Sequence, residues 1–340
     1  VVEQTPDGYI QLPVQETTTG DITVFTFTNV APTSFTVEKK WNNGNAAAPT
    51  DSVTVGLYRT TVQSEVGQTS GTAVEAVPVD ELNPAGDKQI HKLPDGENWS
   101  YTFTGLPKYN EEGAPYFYYA LELNTDGDPI PDNGSIRYGT QDYHVDYTNP
   151  AYEDDGTVVG GETAQTIITN TPSTSLSGTK TWKDNGNKYG TRPDDLTLNL
   201  YRTTAEDPDA DTKWDDPIIL AEEGIKLEIV ENGDAWTYTF TNLPKYDSEG
   251  KEYTYKVEES ALPGYSGAVD DGDNNEATTN ADGTLEGPDF TNTLTGTVTI
   301  TGTKTWEGGS GSTPTLKLER RLADQTPEDG WDVVTNPKVS

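Results

Sequence analysis

The chain has 340 residues, enough for two or three domains, and its 22 Lys and Arg against 57 Asp and Glu leave a net charge of −35. Binding to nucleic acid or to an anionic membrane surface depends on clustered basic residues, so this charge excludes both classes of partner. Only 31% of the residues are hydrophobic, but 18 Tyr and 7 Trp argue against disorder, and several small cores are expected.

The counts of Cys, His and Met narrow the chemistry further. The absence of Cys excludes disulfides, zinc–thiolate sites and cysteine nucleophiles. His91 and His144 lie in no recognisable motif, and we expect both to be ordinary surface or turn residues. No apolar run is long enough to cross a membrane. Because the sequence has no Met, we expect a processed product or a part of a longer protein.

In chain order, the sequence repeats one set of motifs. An opening motif is written KKWNNGN from Lys39, TKTWKDNGN from Thr179 and TKTWEGGSG from Thr303. A middle motif, WSYTFTGLPKYNEEG from Trp99, returns as WTYTFTNLPKYDSEG from Trp236. These repeats indicate tandem modules of one kind.

A closing motif ends each module with an Asn that lies ten or twelve residues before the next opening Lys. These residues are Asn29, Asn170 and Asn292. We therefore expect the C-terminal part of a preceding module, two complete modules and the N-terminal part of a following module. Their expected limits are 1–30, 31–172, 173–295 and 296–340.

Within the modules, hydrophobic residues alternate with polar ones. Leu196, Leu198 and Leu200 show this period of two, and Gly, Pro, Asn and Asp punctuate the segments. The pattern is typical of antiparallel strands with one buried face, and we find no helical stripe. It predicts an all-β fold of tandem immunoglobulin-like Greek-key β-sandwich modules. The short connectors, themselves mostly strand, predict an elongated rod.

The seven Trp residues recur at repeated positions, which favours packing inside the modules over sugar binding by exposed rings. The three sets are Trp41, Trp182 and Trp306; Trp99 and Trp236; and Trp214 and Trp331.

Lysine and glutamate recur where alternation predicts an inward-facing side chain. Glu259 shares the parity of Tyr255, whereas its neighbour Glu258 is predicted to face solvent. Lys180 lies two residues before Trp182 and therefore shares its face. The first module repeats this arrangement with Lys39 and Glu122.

A buried, unpaired Lys or Glu is costly, so one interpretation is a buried ion pair in each module. In the other, desolvation neutralises both groups, and the neutral lysine attacks the side-chain amide of Asn170 or Asn292. The protonated glutamate would polarise the amide carbonyl and relay protons as ammonia leaves. The product is an amide bond that joins two strands.

These motifs resemble the B-type repeat modules of collagen-adhesin-like surface proteins and pilins of Gram-positive bacteria. The opening TKTWKDNGN, the middle LPKYDSEGKEYTYKVEESALPGY and the closing DFTNTL carry the resemblance, which covers essentially the whole chain. The resemblance implies spontaneous isopeptide bonds in both modules. Its residues are Lys39 and Lys180 as nucleophiles, Glu122 and Glu259 as catalytic proton relays, and Asn170 and Asn292 as acceptors.

The first module and the two ends depart from this pattern. Asn149 competes with Asn170 as acceptor, and we favour Asn170 because it keeps the ten-residue spacing. Glu3 and Asn29 supply a relay and an acceptor near one end, and Lys304 supplies a donor near the other. The segment is then either cut from a longer tandem array or a fibre subunit in which Lys304 joins Asn29 of the next chain.

The expected function is mechanical, because each bond would tie the first strand of a module to its last. We expect a stalk or fibre segment of an extracellular, cell-wall-attached surface protein, without a cofactor and without enzymatic turnover. Its expected partners are other modules or neighbouring subunits, while a host ligand would be bound by a region outside this segment.

Two alternatives remain open at this point. The modules themselves would hold a host glycan or matrix protein if the structure had a large aromatic cleft. The other alternative is rigidity that depends on calcium, because two acidic runs have the alternating oxygen ligands of a calcium loop. Neither run has the Gly and Glu that such a loop uses, so solvated turns are favoured and no metal is expected. The runs are Asp207, Asp209 and Asp211, and Asp271, Asp273 and Asn275.

Overall fold

The computed structural model describes residues 1–11, 14–30, 32–69, 75–76, 90–94, 98–110, 112–204, 214, 216–269, 275–295, 300–309, 311, 315–320 and 330–333. The chain forms two compact units, Val1–Thr295 and Gly296–Ser340, and each is described by itself. The all-β prediction is confirmed, since the helices among the described residues are two single 3-10 turns. These are Gln63–Glu65 and Val159–Gly161.

The strands of the first unit fall into three groups along the chain. The N-terminal group is two antiparallel pairs, β1 (Ile10–Gln11) with β4 (Asn29–Val30) and β2 (Gln15–Thr19) with β3 (Ile22–Thr26). The central group is β5 (Pro32–Trp41), β6 (Val53–Thr60), β7 (Glu75–Ala76), β8 (Ile90–Leu93), β9 (Ser100–Pro107), β10 (Phe117–Leu123), β11 (Gly134–Tyr138) and β12 (Gln141–Thr148). The third group is β13 (Gln165–Lys183), β14 (Leu198–Thr203), β15 (Lys226–Val230), β16 (Ala235–Pro244), β17 (Thr254–Glu259), β18 (Tyr265–Val269), β19 (Thr278–Thr279), β20 (Leu285–Glu286) and β21 (Phe290–Leu294).

The central group and the first half of β13 form a β-sandwich. One sheet has the order β9, β5, β13, β12 and β11, and the other pairs β10, β7 and β8 with β6. Apolar side chains from both sheets meet in one core, because alternation turns every second residue inward. The core includes Phe35 and Ile168 from the first sheet and Val55 and Ala120 from the second.

The third group forms a second sandwich with the other half of β13. Its larger sheet has the order β15, β16, β13, β21 and β18, and β14 pairs with β17 opposite it. Its core includes Leu176, Phe240 and Phe290 from one sheet and Leu200 and Val257 from the other. In both sandwiches the first and last strands are parallel neighbours, β5 with β13 and β13 with β21.

The strand that precedes the middle motif changes sheets between the two sandwiches. In the first, β8 pairs with β6. In the second, β15 pairs with β16, in the sheet that contains β13. The two segments align around similar residues, IHKL and IKLE, so the repeated sequence pattern alone did not reveal this difference.

The two sandwiches are locked together where β13 passes between them. Asn242, whose φ is 65°, donates to the backbone carbonyls of Asn133 at 3.1 Å and Gly134 at 3.5 Å in the first sandwich. It also donates to the carbonyl of Gly224 at 3.2 Å in its own sandwich. On Gly224 a Cβ would lie 1.9 Å from the Asn133 carbonyl oxygen, so only glycine fits this approach. A separate contact joins Asn42 Nδ2 to the carbonyl of Asp247 at 2.7 Å.

In the second unit, the described residues contain one antiparallel pair, β22 (Glu319–Arg320) with β23 (Asp332–Val333). Trp306 and Trp331 are 49% and 53% exposed, so the expected packing of these two repeated positions is wrong here. Among the described residues of this unit, none belongs to the buried hydrophobic core.

Candidate functional site

The first candidate site lies inside the first sandwich. Lys39 on β5 is 3% exposed, and Glu122 on β10 and Asn170 on β13 are fully buried. Asn170 Nδ2 donates to Glu122 Oε1 at 3.1 Å. The Lys39 amine donates to the carbonyl of Lys40 at 2.7 Å and lies 4.0 Å from the ring centre of Trp41. The structure thus brings all three expected residues into one buried cluster.

Burial shifts the acid–base properties of this cluster in the direction that covalent chemistry needs. Desolvation lowers the pKa of Lys39 to about 7, although the Glu122 carboxylate acts against the shift. Desolvation also raises the pKa of Glu122, opposed by Lys39 and by hydrogen bonds from Tyr138 and Asn170. Burial therefore favours the neutral amine of Lys39 and the protonated carboxyl of Glu122.

The second candidate site has the same residue types with a tighter ion contact. Lys180 Nζ lies 2.8 Å from Glu259 Oε1 and 3.0 Å from Oε2. Asn292 Nδ2 donates to Glu259 Oε1 at 3.1 Å, the distance found in the first site. Lys180 and Asn292 are 0% and 1% exposed, whereas the neighbouring Glu258 faces solvent and pairs with Lys256.

Strand register places the lysine and asparagine identically in the two modules. In the parallel pair β5 and β13, Lys39 lies opposite Ile168, and Asn170 lies opposite Trp41. In β13 and β21, Lys180 lies opposite Phe290, and Asn292 opposite Trp182. The lysine and the asparagine are therefore diagonal neighbours on the same inward face of adjacent strands.

Aromatic rings form one wall of each site. Trp41 packs edge-on against Trp99, with ring centres 5.6 Å apart, and against Tyr143 at 5.2 Å. The second module repeats this arrangement with Trp182, Trp236 and Tyr265, at 5.2 Å for both contacts. The expectation that these Trp residues pack inside the modules is confirmed for these four rings.

The second module adds an ion network beside its tryptophans. Arg192 donates to both carboxylate oxygens of Asp184 at 2.7 Å, and its guanidinium lies 5.3 Å from the ring centre of Trp182. The Arg192 hydrogen bonds lower the pKa of Asp184 to about 2 despite desolvation. Asn43 lies beside the corresponding tryptophan of the first module, and its side chain donates to the carbonyl of Ala47.

The residues expected near the ends form parts of a site. Asn29 Nδ2 donates to Glu3 Oε1 at 3.1 Å, which repeats the asparagine–glutamate contact of both complete sites. In the second unit, exposed Lys304 donates to the carbonyl of Thr305 at 3.0 Å and lies 4.3 Å from the Trp306 ring centre. A bond between Lys304 of one chain and Asn29 of the next stays a prediction.

Other expectations meet mixed outcomes. Asn149 accepts a hydrogen bond from Thr166 at 2.7 Å, while Asn170 is the asparagine that contacts Glu122. The expectation that both histidines are ordinary surface or turn residues is wrong for His144, which is buried, whereas His91 is half-buried on β8. His144 is 2% exposed on β12, and the ring of His91 stacks on that of Tyr101 at 3.5 Å.

The acidic runs considered for calcium fall largely outside the described residues, which include only Asn275 of the six. Within the described ranges, no group of three or more His, Asp or Glu side chains is arranged to hold a metal ion. A groove of about 830 Å³ lies between the two sandwiches, but its lining is polar and lacks aromatic rings. It includes Asp132, Arg137, Lys226, Lys245 and Asp282.

Sequence reasoning missed two tyrosines at the first site. Tyr138 on β11 donates its hydroxyl proton to Glu122 Oε1 at 2.5 Å. The hydroxyl of Tyr147 accepts from the backbone amide of Glu122 at 3.0 Å and donates to the carbonyl of Ile130 at 2.9 Å. The alternation of Ile136 and Tyr138 is a signal for an inward-facing ring, but it lies in an insertion that has no repeat partner.

Comparison with known proteins gives consistent matches. The family model described as "Cna protein B-type domain" matches residues 35–127 and 176–281, more than half of the chain. Over 241 residues, 69% of this chain, the sequence is 30% identical to a collagen adhesin of Staphylococcus aureus and spans 16% of that protein's length. No helix in the described part of the chain has the length and apolar character needed to cross a membrane.

Two solved structures are similar to the chain at low sequence identity. A single B repeat unit of the collagen-binding surface protein of S. aureus is 23% identical, covers 78% of this chain and 100% of its own, and gives a TM-score of 0.21. A shaft pilin from Lactobacillus rhamnosus GG is 12% identical, with coverage of 79% and 100% and a TM-score of 0.23. With TM-scores this low, the sequence matches alone define the family.

Proposed function

Because the chain belongs to the Cna protein B-type domain family, we propose that it is a stalk segment of a Gram-positive surface adhesin or pilus-like protein, stiffened by self-formed covalent bonds. The bonds are Lys39 to Asn170 and Lys180 to Asn292. The observation that carries the proposal is the same buried Lys, Glu and Asn cluster at the same strand register in two modules.

The reaction uses only groups of the chain. The lone pair of the neutral Lys39 amine attacks Cγ of Asn170, whose carbonyl is polarised by the protonated Glu122. Glu122 passes its proton to the amide oxygen, and the resulting carboxylate takes a proton from the attacking nitrogen and delivers it to Nδ2. The proton on the oxygen returns to Glu122 as the carbonyl forms again. The bond from Cγ to Nδ2 then breaks, and ammonia leaves. Glu122 ends in its starting state, and each site reacts once.

The position of the bonds explains their use. Each bond ties the first strand of a sandwich to its parallel neighbour, the last strand. Tension that enters at Lys39 leaves through Asn170, passes along β13 to Lys180, and leaves again through Asn292. The strands between the bonded pairs carry no load. A crosslink that closes so long a loop also restricts the unfolded chain, by about 5 kcal/mol in the disulfide model used as an analogy.

The extent of the two hydrophobic cores supports the proposed limits of the modules. We assign 31–172 and 173–295 as complete modules, since the first core runs from Phe35 to Ile168 and the second from Leu176 to Phe290. Residues 1–30 and 296–340 belong to neighbouring modules. The proposed partners are further modules or subunits of a cell-wall-attached protein, and a region outside this segment would bind the host.

Intact mass tests the proposal directly. The purified chain should weigh less than its formula mass by two ammonia molecules. Lys180→Ala and Glu259→Ala should each retain one of these two ammonia equivalents. Glu258→Ala is the matched control, because its side chain points to solvent next to the relay, and it should still lose both. A wild-type chain at its full formula mass contradicts the proposal.

A further inference from the structure

The first site contains a hydroxyl group that has no counterpart among the described residues of the second site. It belongs to Tyr138 on β11, which pairs with β12 at the edge of the larger sheet. The strand of the second module that corresponds to β12 is β18, because β18 pairs with β21 as β12 pairs with β13. Among the described strands, none pairs with the other edge of β18. Tyr138 therefore comes from an added strand.

Tyr138 and Asn170 share one oxygen of the relay carboxyl. The Tyr138 hydroxyl donates to Glu122 Oε1 at 2.5 Å, and Asn170 Nδ2 donates to the same atom at 3.1 Å. The Tyr138 ring is fixed edge-on against Trp41, with centres 5.3 Å apart. In the described part of the chain, Glu122 Oε2 and Asn170 Oδ1 are both buried without a hydrogen-bond partner.

This pattern determines where the carboxyl proton resides. Oε1 already accepts two hydrogen bonds, so the proton of the neutral Glu122 belongs on Oε2. An acid and an amide form a cyclic pair when amide N–H meets one carboxyl oxygen and carboxyl O–H meets the amide carbonyl. The contact from Asn170 Nδ2 to Oε1 is the first half of this pair. The two unpartnered atoms, Oε2 and Oδ1, are those that the second half joins.

The second site orients its relay in a different way. The Lys180 amine contacts both oxygens of Glu259, at 2.8 Å and 3.0 Å. The nucleophile itself therefore holds the carboxylate there. In the first site, the Lys39 amine donates to the backbone carbonyl of Lys40, and a tyrosine hydroxyl occupies the carboxyl oxygen instead.

We propose that Tyr138 is a positioning residue for crosslinking in the first module. Its hydroxyl holds Glu122 Oε1 as an acceptor, so that the acidic proton lies on Oε2 and is directed at the Asn170 carbonyl oxygen. Tyr138 keeps its own proton throughout and does not enter the balance of the reaction. This inference rests on the proposed function, because it concerns the Lys39 to Asn170 bond.

The test compares Tyr138→Phe with Tyr143→Phe in the full chain. Both variants keep a ring against Trp41, but only the first loses the hydroxyl that contacts Glu122. Chains recovered unfolded in denaturant, before either bond forms, are diluted into native buffer and quenched at intervals. Peptide mapping by mass spectrometry then follows the two crosslinks separately in each sample, with Trp fluorescence as the measure of folding.

We expect Tyr138→Phe to slow the Lys39 to Asn170 bond by about tenfold, since one hydrogen bond between neutral groups contributes up to this factor. The Lys180 to Asn292 bond in the same molecules and both bonds in Tyr143→Phe should form at wild-type rates. The hydrogen bond from Tyr138 favours the charged carboxylate, so its loss should raise the pKa of Glu122. The pH above which the first bond forms more slowly, which we call its alkaline limit, should therefore also move upwards.

Three results overturn the inference: a wild-type rate for the first bond in Tyr138→Phe, equal slowing of both bonds, or slowing without a shift of the alkaline limit. The last two would indicate a structural role only. If the wild-type chain forms neither bond, the proposed function itself fails, which is a separate outcome.

Discussion

Acidification should slow bond formation at Lys39. The amine can attack only when it is neutral, and burial lowers its pKa from 10.5 to about 7. At pH 7 about half of the Lys39 side chains are neutral, compared with roughly one in 3,000 for an ordinary lysine. The buried site thus raises the reactive fraction by more than about a thousandfold.

The magnitude on the acid side follows from the same pKa. Between pH 7 and pH 5 the neutral fraction of Lys39 falls about fiftyfold, and below pH 6 the loss is about tenfold per pH unit. Because burial raises the pKa of Glu122, we expect this carboxyl to hold its proton on the acid limb and to lose it on the alkaline limb. The rate at the first site should therefore pass through a maximum.

The assay is refolding from denaturant into buffers from pH 5 to pH 9. Samples are quenched over time, and the peptide that contains the Lys39 to Asn170 crosslink is quantified by mass spectrometry. Trp fluorescence shows whether the chain has folded at each pH. A crosslinking rate that stays constant or rises from pH 7 to pH 5, in fully folded protein, would refute the assignment of Lys39 as a desolvated nucleophile.

Two further predictions concern stability, each read from urea unfolding. Gly224→Ala should destabilise the chain by about 1–3 kcal/mol more than Gly233→Ala. Both glycines have positive φ, but only a Cβ at Gly224 would meet the Asn133 carbonyl. Equal losses of stability in the two variants would contradict the contact at the junction. Asp184→Asn should cost about 2 kcal/mol above pH 4, and the difference from wild type should disappear as pH falls through about 2. Because Arg192 lowers the pKa of Asp184 in the folded state, the ionised carboxylate stabilises the fold above the unfolded-state pKa of 3.8, and this stabilisation is lost as Asp184 is protonated. A stability difference between variant and wild type that stays constant across this pH range would argue against this ion pair.

Alternation was sufficient to predict the all-β fold class and the inward-facing positions of Lys180 and Glu259. Lys180 and Trp182 share a parity with the core, and the structure buries both. Parity also separated Glu259 from Glu258, because adjacent strand residues must face opposite ways. These inferences use only local geometry, which the sequence contains.

Contacts that depend on pairing between distant strands were not predictable in this way. Tyr138 reaches Glu122 only because β11 adds to the sheet edge, and that segment has no second copy for comparison. His144 is buried because β12 lies between β11 and β13, so a polar residue without a motif was misassigned to the surface. Repeats reveal what the modules share and give no information on what one of them adds.

The junction around β13 also fixes the order of the modules. Asn242 and Gly105 occupy the same place in the motifs TFTNLPKY and TFTGLPKY, with φ of 65° and 69°, so the two backbones match. Only the asparagine has a side chain that bonds to the carbonyls of the preceding module. A gene rearrangement that placed the first module after the second would keep every crosslinking residue and still lose this joint, because Gly105 would then stand where Asn242 does. The chain therefore encodes a sequence of neighbours as well as a repeated unit.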